Sequence, residues 1–477
     1  MNGPLRRLAL VSFVLFALLL ASSTWTQALD ADDLRKDPRN RRTQLALLSR
    51  ERGPIIVAGE AIARSEPVDD EYKFQRTYPQ GELYAHVTGY FSLSTSSGVE
   101  QAMNPLLAGT DEQQFVDQLT NLLTGEQTPG ATVTTTIDPK VQQAATDALA
   151  GRRGAVAALD PKTGAVKAMV STPSYDPNQL ATHDRKAANE ASQRLQTQDD
   201  RPLINRAIGG DLYPPGSTFK VITAAAGLES GSVTANSTLP GPAVLDLPGT
   251  TAGLPNYSPN PCGPNDEVSL HDALVMSCNT AFGALGMRLG GDAIREQADK
   301  FGFGEELRIP VRVTPSRIAE QMNEPQEAQS AIGQYEDRVT PMQMAMVAAG
   351  IANDGIVMTP YLVDKVQAPD LKDLQSAKPQ RLRRAVSQST ADDLTTMMVG
   401  VVQDGTGRAA RISGIDVAGK SGTAQTGNDQ RSHAWFISFA PADDPQIAVA
   451  VVVENGGGGG KTSAPIARQV IQAAIQQ

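Results

Sequence analysis

A chain of 477 residues has room for two or three domains, which excludes a single small binding module. Hydrophobic residues at 40% and charged residues at 20% are the proportions of an ordinary globular protein, so wholesale disorder and a polytopic membrane protein are excluded as well. With 42 basic against 52 acidic side chains the formal charge is -10, a field that does not hold phosphates, and no nucleic-acid partner is expected.

Leu8 to Leu29 is a run of 22 residues without a charge, preceded by Arg6 and Arg7 and followed by Asp30, Asp32 and Asp33. The run is long enough to span a bilayer. Basic residues on its near side and acids on its far side predict a cytoplasmic stub and a body outside the cytoplasm, a single pass through the cell membrane. An uncleaved anchor over residues 1–29 is favoured over a signal peptide cut after Ala28, because the apolar run exceeds a usual signal core.

Asp37 to Arg42 then reads as a charged juxtamembrane linker. Short apolar runs alternate with turn residues through Tyr78-Pro79-Gln80-Gly81 and on to Leu107, predicting a small strand-rich domain over residues 30–130 with few catalytic signals.

At Thr132 the texture changes, and a second domain over residues 131–477 is expected to begin. Val133 to Ile137 reads as a strand, and Asp138-Pro139 opens a helix from Lys140 to Leu149. Ala155 to Leu159 and Ala165 to Ser171 flank Asp160-Pro161-Lys162-Thr163-Gly164, which is turn chemistry for an antiparallel hairpin. Ala434 to Ala440 and Gln446 to Glu454 form a second such pair. Between and after the hairpins lie helices: Thr340 as cap, Pro341 at the first position and Gly355 as terminator bracket one, and Ile466, Val470, Ala473 and Ala474 recur at helical spacing in another. The expected domain is α+β, an antiparallel sheet flanked by helices, with both ends of its sequence contributing strands. Pro240 to Gly263, rich in proline and glycine, predicts a long structured loop and no regular element. Gly456 to Gly460 with Lys461-Thr462 is a near miss for a phosphate loop; Asn455 stands at its first glycine and Pro465 where its helix should run, so a flexible turn is expected.

Cys262 and Cys278 are too few for a four-ligand zinc site, and His86, His183, His271 and His433 are scattered, so no catalytic metal or other cofactor is expected. Outside the cytoplasm an even cysteine count favours a Cys262–Cys278 disulfide over two free thiols.

Three short motifs converge on one reaction. In Pro214-Pro215-Gly216-Ser217-Thr218-Phe219-Lys220 the serine enters the first turn of a helix and Lys220, three residues on, shares its face. A serine hydroxyl is a poor nucleophile until a base takes its proton, and a desolvated Lys220 is the candidate base. In Ser277-Cys278-Asn279 a locally extended backbone would point Ser277 and Asn279 into the cleft and Cys278 away, towards Cys262. In Lys420-Ser421-Gly422-Thr423 strand period puts Lys420 and Gly422 on one face, a charge beside a gap against which substrate backbone can lie. Each motif alone is common by chance; all three in this order within one domain are not. His433 is near the third motif, and a strand-edge histidine is read as a packing residue.

This trio is the one known from penicillin-binding proteins and serine β-lactamases. With Arg50-Glu51-Arg52-Gly53, Tyr78-Pro79, Gly89-Tyr90, Asp160-Pro161-Lys162-Thr163-Gly164, Tyr175-Asp176-Pro177-Asn178 and Thr340-Pro341-Met342-Gln343-Met344-Ala345, nearly the whole chain resembles the class B penicillin-binding proteins. The short N-terminal domain makes it most similar to the actinobacterial penicillin-binding protein A type. The resemblance implies a β-lactamase/transpeptidase-like fold and a D,D-transpeptidase of peptidoglycan synthesis that binds stem peptides ending in D-Ala-D-Ala and is acylated by β-lactams. It further implies Ser217 as acylated nucleophile, Lys220 as its base, Ser277 as proton relay and Asn279 as holder of the substrate amide. Lys420, Ser421, Gly422 and Thr423 would form the substrate-binding strand, Lys420 supplying positive potential. The Thr423 hydroxyl would take the substrate carboxylate, and its N–H would join that of Ser217 in an oxyanion hole. Residues before 130 leave no room for a glycosyltransferase, so a separate membrane glycan polymerase and other division or elongation proteins are expected partners. Cys278 and Ser421 stand where relatives often carry aspartate and threonine, and Tyr335 where many carry glycine. Two rival readings are a hydrolase, carboxypeptidase or β-lactamase, disfavoured by the absence of an obvious acidic deacylation base, and an inactive scaffold, disfavoured by the intact Ser217 and Lys220.

Overall fold

Along the strand Gly154–Leu159 every residue is buried, but alternate residues enter different cores: Ala155, Ala157 and Leu159 one, Val156 and Ala158 the other. This is the signature of a strand covered on both faces, and it repeats in His433–Ala440 and Ile447–Val453. The computed structural model describes residues 2–30, 45, 48–111, 113, 129–427 and 431–476. In it these strands belong to an antiparallel five-stranded sheet in the order 418–424, 433–440, 447–453, 154–159 and 166–172, joining the two predicted hairpins.

One face of the sheet is covered by the helices Pro139–Leu149 and Gly459–Ile475, the other by Pro341–Ala352, whose residues 341–351 are all buried. The predicted caps are in place. The Asp138 carboxylate accepts the N–H groups of Lys140 and Val141, and the Thr340 hydroxyl accepts that of Gln343. The strand Ala418–Ala424 is the sheet's edge, paired on one side only.

Three expectations change. Thr132–Thr135 does not begin the second domain's own sheet; it pairs in parallel with Ile55–Val57 and antiparallel with Val363–Gln367, inside a six-stranded sheet shared with the N-terminal strands. An N-terminal edge strand has unpaired backbone groups, and sequence distance does not limit where it finds partners. Gly456–Gly460 is not simply a turn, since the helix Gly459–Ile475 starts inside it and runs through Pro465. A Cβ on Gly459 would lie 2.0 Å from the Trp435 carbonyl oxygen and 2.3 Å from that of Gly422, so glycine lets this helix start touch the sheet. Pro240–Gly263 contains a short pairing of Val244–Asp246 with Gly253–Pro255.

In the N-terminal domain Arg52 and Arg76 both bond the buried Glu100 carboxylate, and Tyr78 Oη joins them, which places the Arg52 and Tyr78-Pro79 motifs in its framework. Asn2–Thr24 is helical and continues as one wider turn through Leu29; Gly3–Leu29 is long and apolar enough to cross a membrane. The charged linker Asp37–Arg42 lies outside the described residues.

Candidate active site

Ser217 sits in a single 3-10 turn, Gly216–Thr218, immediately before the helix Lys220–Glu229. Prolines 214 and 215 fix the approach, and the turn is held from three sides. Gly216 N–H donates to the Gly333 carbonyl at 2.8 Å, Trp435 Nε1 donates to the Pro214 carbonyl at 3.0 Å, and Tyr213 pairs with Val339 through both backbone groups. Gly216 has φ +54°, and a Cβ there would stand 2.8 Å from the Thr423 carbonyl oxygen. The third motif therefore lies against the turn that carries Ser217.

Lys220 is fully buried, and its Nζ donates to the Ser277 carbonyl at 2.7 Å, Ser277 Oγ at 3.3 Å and Asn279 Oδ1 at 2.7 Å. None of these bonds goes to Ser217; the second motif, not the nucleophile, orients the amine. Lys420 is also fully buried, and its Nζ donates to Ser277 Oγ and the Ser421 carbonyl, each at 2.9 Å. Burial pulls the Lys420 ammonium down to about 7. Lys220 is pushed well below the lysine range, first by burial and then by the charge of Lys420. Lowering the ammonium in this way favours the neutral amine, whose lone pair is what a general base needs.

The second motif is not extended. Ser277 ends the helix Leu270–Met276 in a left-handed conformation, φ +65°, and Cys278 caps the helix Asn279–Leu289. A helix-to-helix corner turns the chain between Ser277 and Asn279, so both reach Lys220 by a sharper route than alternation along a strand. A serine held left-handed costs about 1–2 kcal/mol, and backbone strain of this kind concentrates at functional sites. The Cys262–Cys278 disulfide is formed, clipping the loop 240–263 to this corner.

The gap at Gly422 has an occupant. A Cβ there would meet Thr218 Cγ2 and Trp435 Cβ at 2.9 Å and the Pro215 carbonyl oxygen at 3.0 Å, so glycine admits the nucleophile's own turn, not substrate backbone. Ser421 Oγ lies 2.6 Å from Thr406 Oγ1 and is 7% exposed, while Thr423 is half-buried. Tyr335 has φ +61°, a conformation that glycine adopts without strain. His433 packs edge-on against Tyr213, and its Nδ1 accepts the Asn455 N–H at 3.1 Å; burial lowers its basicity. Sequence reasoning missed Trp435, Thr406 and the Pro255 carbonyl, which accepts Asn279 Nδ2 at 2.9 Å. Their partners lie 15 to 221 residues away in the chain, beyond any local pattern.

A helix-borne serine and lysine beside the edge strand of an antiparallel sheet, closed by a Ser-x-Asn corner and a Lys-Ser-Gly strand, define a penicillin-recognising serine acyltransferase. The penicillin binding protein transpeptidase domain matches residues 154–472, and the penicillin binding protein A dimerisation domain matches residues 52–133. The chain is 46% identical to the peptidoglycan D,D-transpeptidase PbpA of Mycolicibacterium smegmatis, covering 100% of both chains. It is 45% identical to PbpA of Mycobacterium tuberculosis, covering 100% of this chain and 99% of that one. The penicillin G acyl-enzyme complex of the M. tuberculosis penicillin-binding protein A superposes with a TM-score of 0.85 at 44% identity, over 90% of this chain and 100% of that one. The imipenem acyl-enzyme complex gives 0.87, over 91% and 100%. The chain belongs to the penicillin-binding protein transpeptidase family, as a class B member of the PbpA type.

Proposed function

We propose that this chain cross-links peptidoglycan as a D,D-transpeptidase through an ester on Ser217, and that β-lactams acylate the same oxygen. The observation that carries the reading is Ser277 Oγ held between Lys220 at 3.3 Å and Lys420 at 2.9 Å. Neutral Lys220 takes the Ser217 proton as Oγ attacks the penultimate D-alanyl carbonyl, and the N–H groups of Ser217 and Thr423 receive the oxyanion. The C–N bond then breaks, and the proton passes from Lys220 through Ser277 Oγ to the departing D-alanine amine. An acceptor amine attacks the ester, returns a proton along the same path, and restores Ser217. Lys420 attracts the substrate carboxylate, which the Thr423 hydroxyl binds, and Asn279 holds the peptide amide.

The body works outside the cytoplasm on an N-terminal single-pass anchor, beside a membrane glycan polymerase and other division or elongation proteins. The anchor reading is supported by the Gly3–Leu29 helix behind Arg6 and Arg7.

The test is the intact mass of the protein after penicillin treatment, followed by peptide mapping. One acyl group on the peptide containing Ser217, absent from Ser217→Ala, is expected. An adduct that survives in Ser217→Ala would overturn the assignment.

A further inference from the structure

Loop 240–263 drew notice in the sequence for its prolines, its glycines and Cys262, yet another of its side chains touches the second motif directly. Asn256 Oδ1 accepts the backbone N–H of Asn279 at 2.9 Å, that of Thr280 at 3.1 Å, and the Thr280 hydroxyl at 3.3 Å. Those two N–H groups belong to the first turn of the helix Asn279–Leu289 and have no intrahelical partner. Cys278 at the N-cap offers only its sulfur, which accepts from Ala281 N–H at 3.4 Å and is a weak acceptor. An amide from outside the helix thus completes the cap. At its other end Asn256 Nδ2 donates to the carbonyls of Pro242 at 2.9 Å and Asn260 at 3.2 Å, fixing the side chain within its loop.

The neighbouring carbonyl, Pro255 O, takes Asn279 Nδ2 at 2.9 Å. With its nitrogen held there, the Asn279 amide turns Oδ1 to Lys220 Nζ at 2.7 Å. The contacts form one chain from the loop through Asn279 to the base. Asn256 anchors the backbone from which the Asn279 side chain projects, and Pro255 sets that side chain's rotation.

We propose that Asn256 is a positioning residue for acylation: through its bonds to Asn279 and Thr280 it holds the second motif where Asn279 and Ser277 orient Lys220. This rests on the assignment of Ser217 and Lys220 above. It makes loop 240–263 a wall of the active site. It also gives the Cys262–Cys278 bridge a companion, since the covalent link ties the loop to residue 278 and Asn256 ties it to residues 279 and 280.

The test compares Asn256→Ala and Asn256→Asp with the unaltered full-length protein, measuring the acylation rate by a fluorescent penicillin across pH alongside thermal unfolding. N256A loses the capping oxygen, and its acylation rate falls about ten-fold or more, the scale on which misplaced catalytic groups fail. Water admitted at Asn279 relieves the desolvation of Lys220, so the acid limb of the rate profile moves to higher pH. N256D keeps the capping oxygen but sets a second oxygen, with no hydrogen to donate, against the Pro242 and Asn260 carbonyls, so it acylates more slowly than the unaltered protein and at least about three-fold faster than N256A. A purely structural cap would lower the unfolding temperature of N256A and leave rate and profile unchanged, which would overturn the proposal. A folded N256D that acylates no faster than N256A would overturn it too; where N256A does not fold, a folded Asn256→Ser, whose shorter side chain loses the same bonds, with an unchanged rate and profile would overturn it. These outcomes differ from failure of the underlying assignment, where Ser217→Ala keeps its penicillin adduct.

Discussion

Lys420 Nζ donates to Ser277 Oγ over 2.9 Å, joining the third motif to the second across 143 residues of chain. Because Lys220 donates to the same oxygen at 3.3 Å, both lone pairs of that hydroxyl are engaged and its proton is free to point into the cleft. A hydroxyl so placed hands a proton forward while receiving one behind. Ser277→Ala is therefore expected to lower the acylation rate about 10²-fold, the scale of one general acid–base group, with little change in unfolding temperature. A fluorescent penicillin followed in stopped flow reads the rate; a rate within two- to three-fold of the unaltered protein would refute the relay.

Burial of Lys420 predicts a stability that depends on pH in a definite direction. Between about 7, where the folded state releases the proton, and the ordinary lysine value, the unfolded chain holds a proton that the folded one does not, so stability rises with pH across that window. Below about 7 both states are charged and the folded state bears the whole cost of the buried ammonium. Lys420→Met is expected to raise the unfolding temperature most at about pH 6 to 7, with the gain shrinking towards pH 10, while acylation is lost. Unfolding followed by circular dichroism at several pH values checks the sign.

At Gly422 a single methyl group has no room. Gly422→Ala would place a carbon against Thr218, Trp435 and the Pro215 carbonyl at 2.9 to 3.0 Å, and the backbone oxygen cannot rotate away. The expected outcome is a loss of about 1–3 kcal/mol in denaturant unfolding, as overpacking gives. Displacement of the turn that carries Ser217 adds a fall in acylation of about 10²-fold. Unchanged acylation would mean that the turn and strand are not mechanically coupled.

Removing the disulfide through Cys262→Ser with Cys278→Ser should reduce stability by about 3 kcal/mol, the scale for a loop of this length. The penicillin adduct on Ser217 should still form, more slowly, because the loop behind Asn279 is less constrained. Denaturant midpoints and adduct mass after timed exposure measure the two effects separately.

The turn that carries Ser217 and Lys220 was legible early because its motif is local: two prolines, a glycine, then a serine and lysine three apart fold by short-range rules. The strands of the central sheet were legible too, since a continuous apolar run between turn residues reads as a strand whatever it pairs with. The conformation of Ser277–Asn279 was not. Period-2 alternation and a helix-to-helix corner both bring the first and third side chains together, and only the left-handed φ at Ser277 distinguishes them. Gly422 was correctly placed on the Lys420 face, but what fills its missing side chain is decided by the Pro214–Thr218 turn folding against it.

The sequence by itself determined the long apolar N-terminal run, the order of the three motifs and the candidate residues for acyl transfer, because those are properties of neighbouring residues and survive in an unfolded chain. Tertiary structure alone decided which groups meet. Lys220 faces Ser277 and Asn279, Trp435 braces Pro214, Asn256 caps a helix that begins 23 residues later, and two buried lysines share one hydroxyl. Hydrogen bonds and desolvation act between atoms a few ångströms apart, and only packing makes residues distant in the chain near in space.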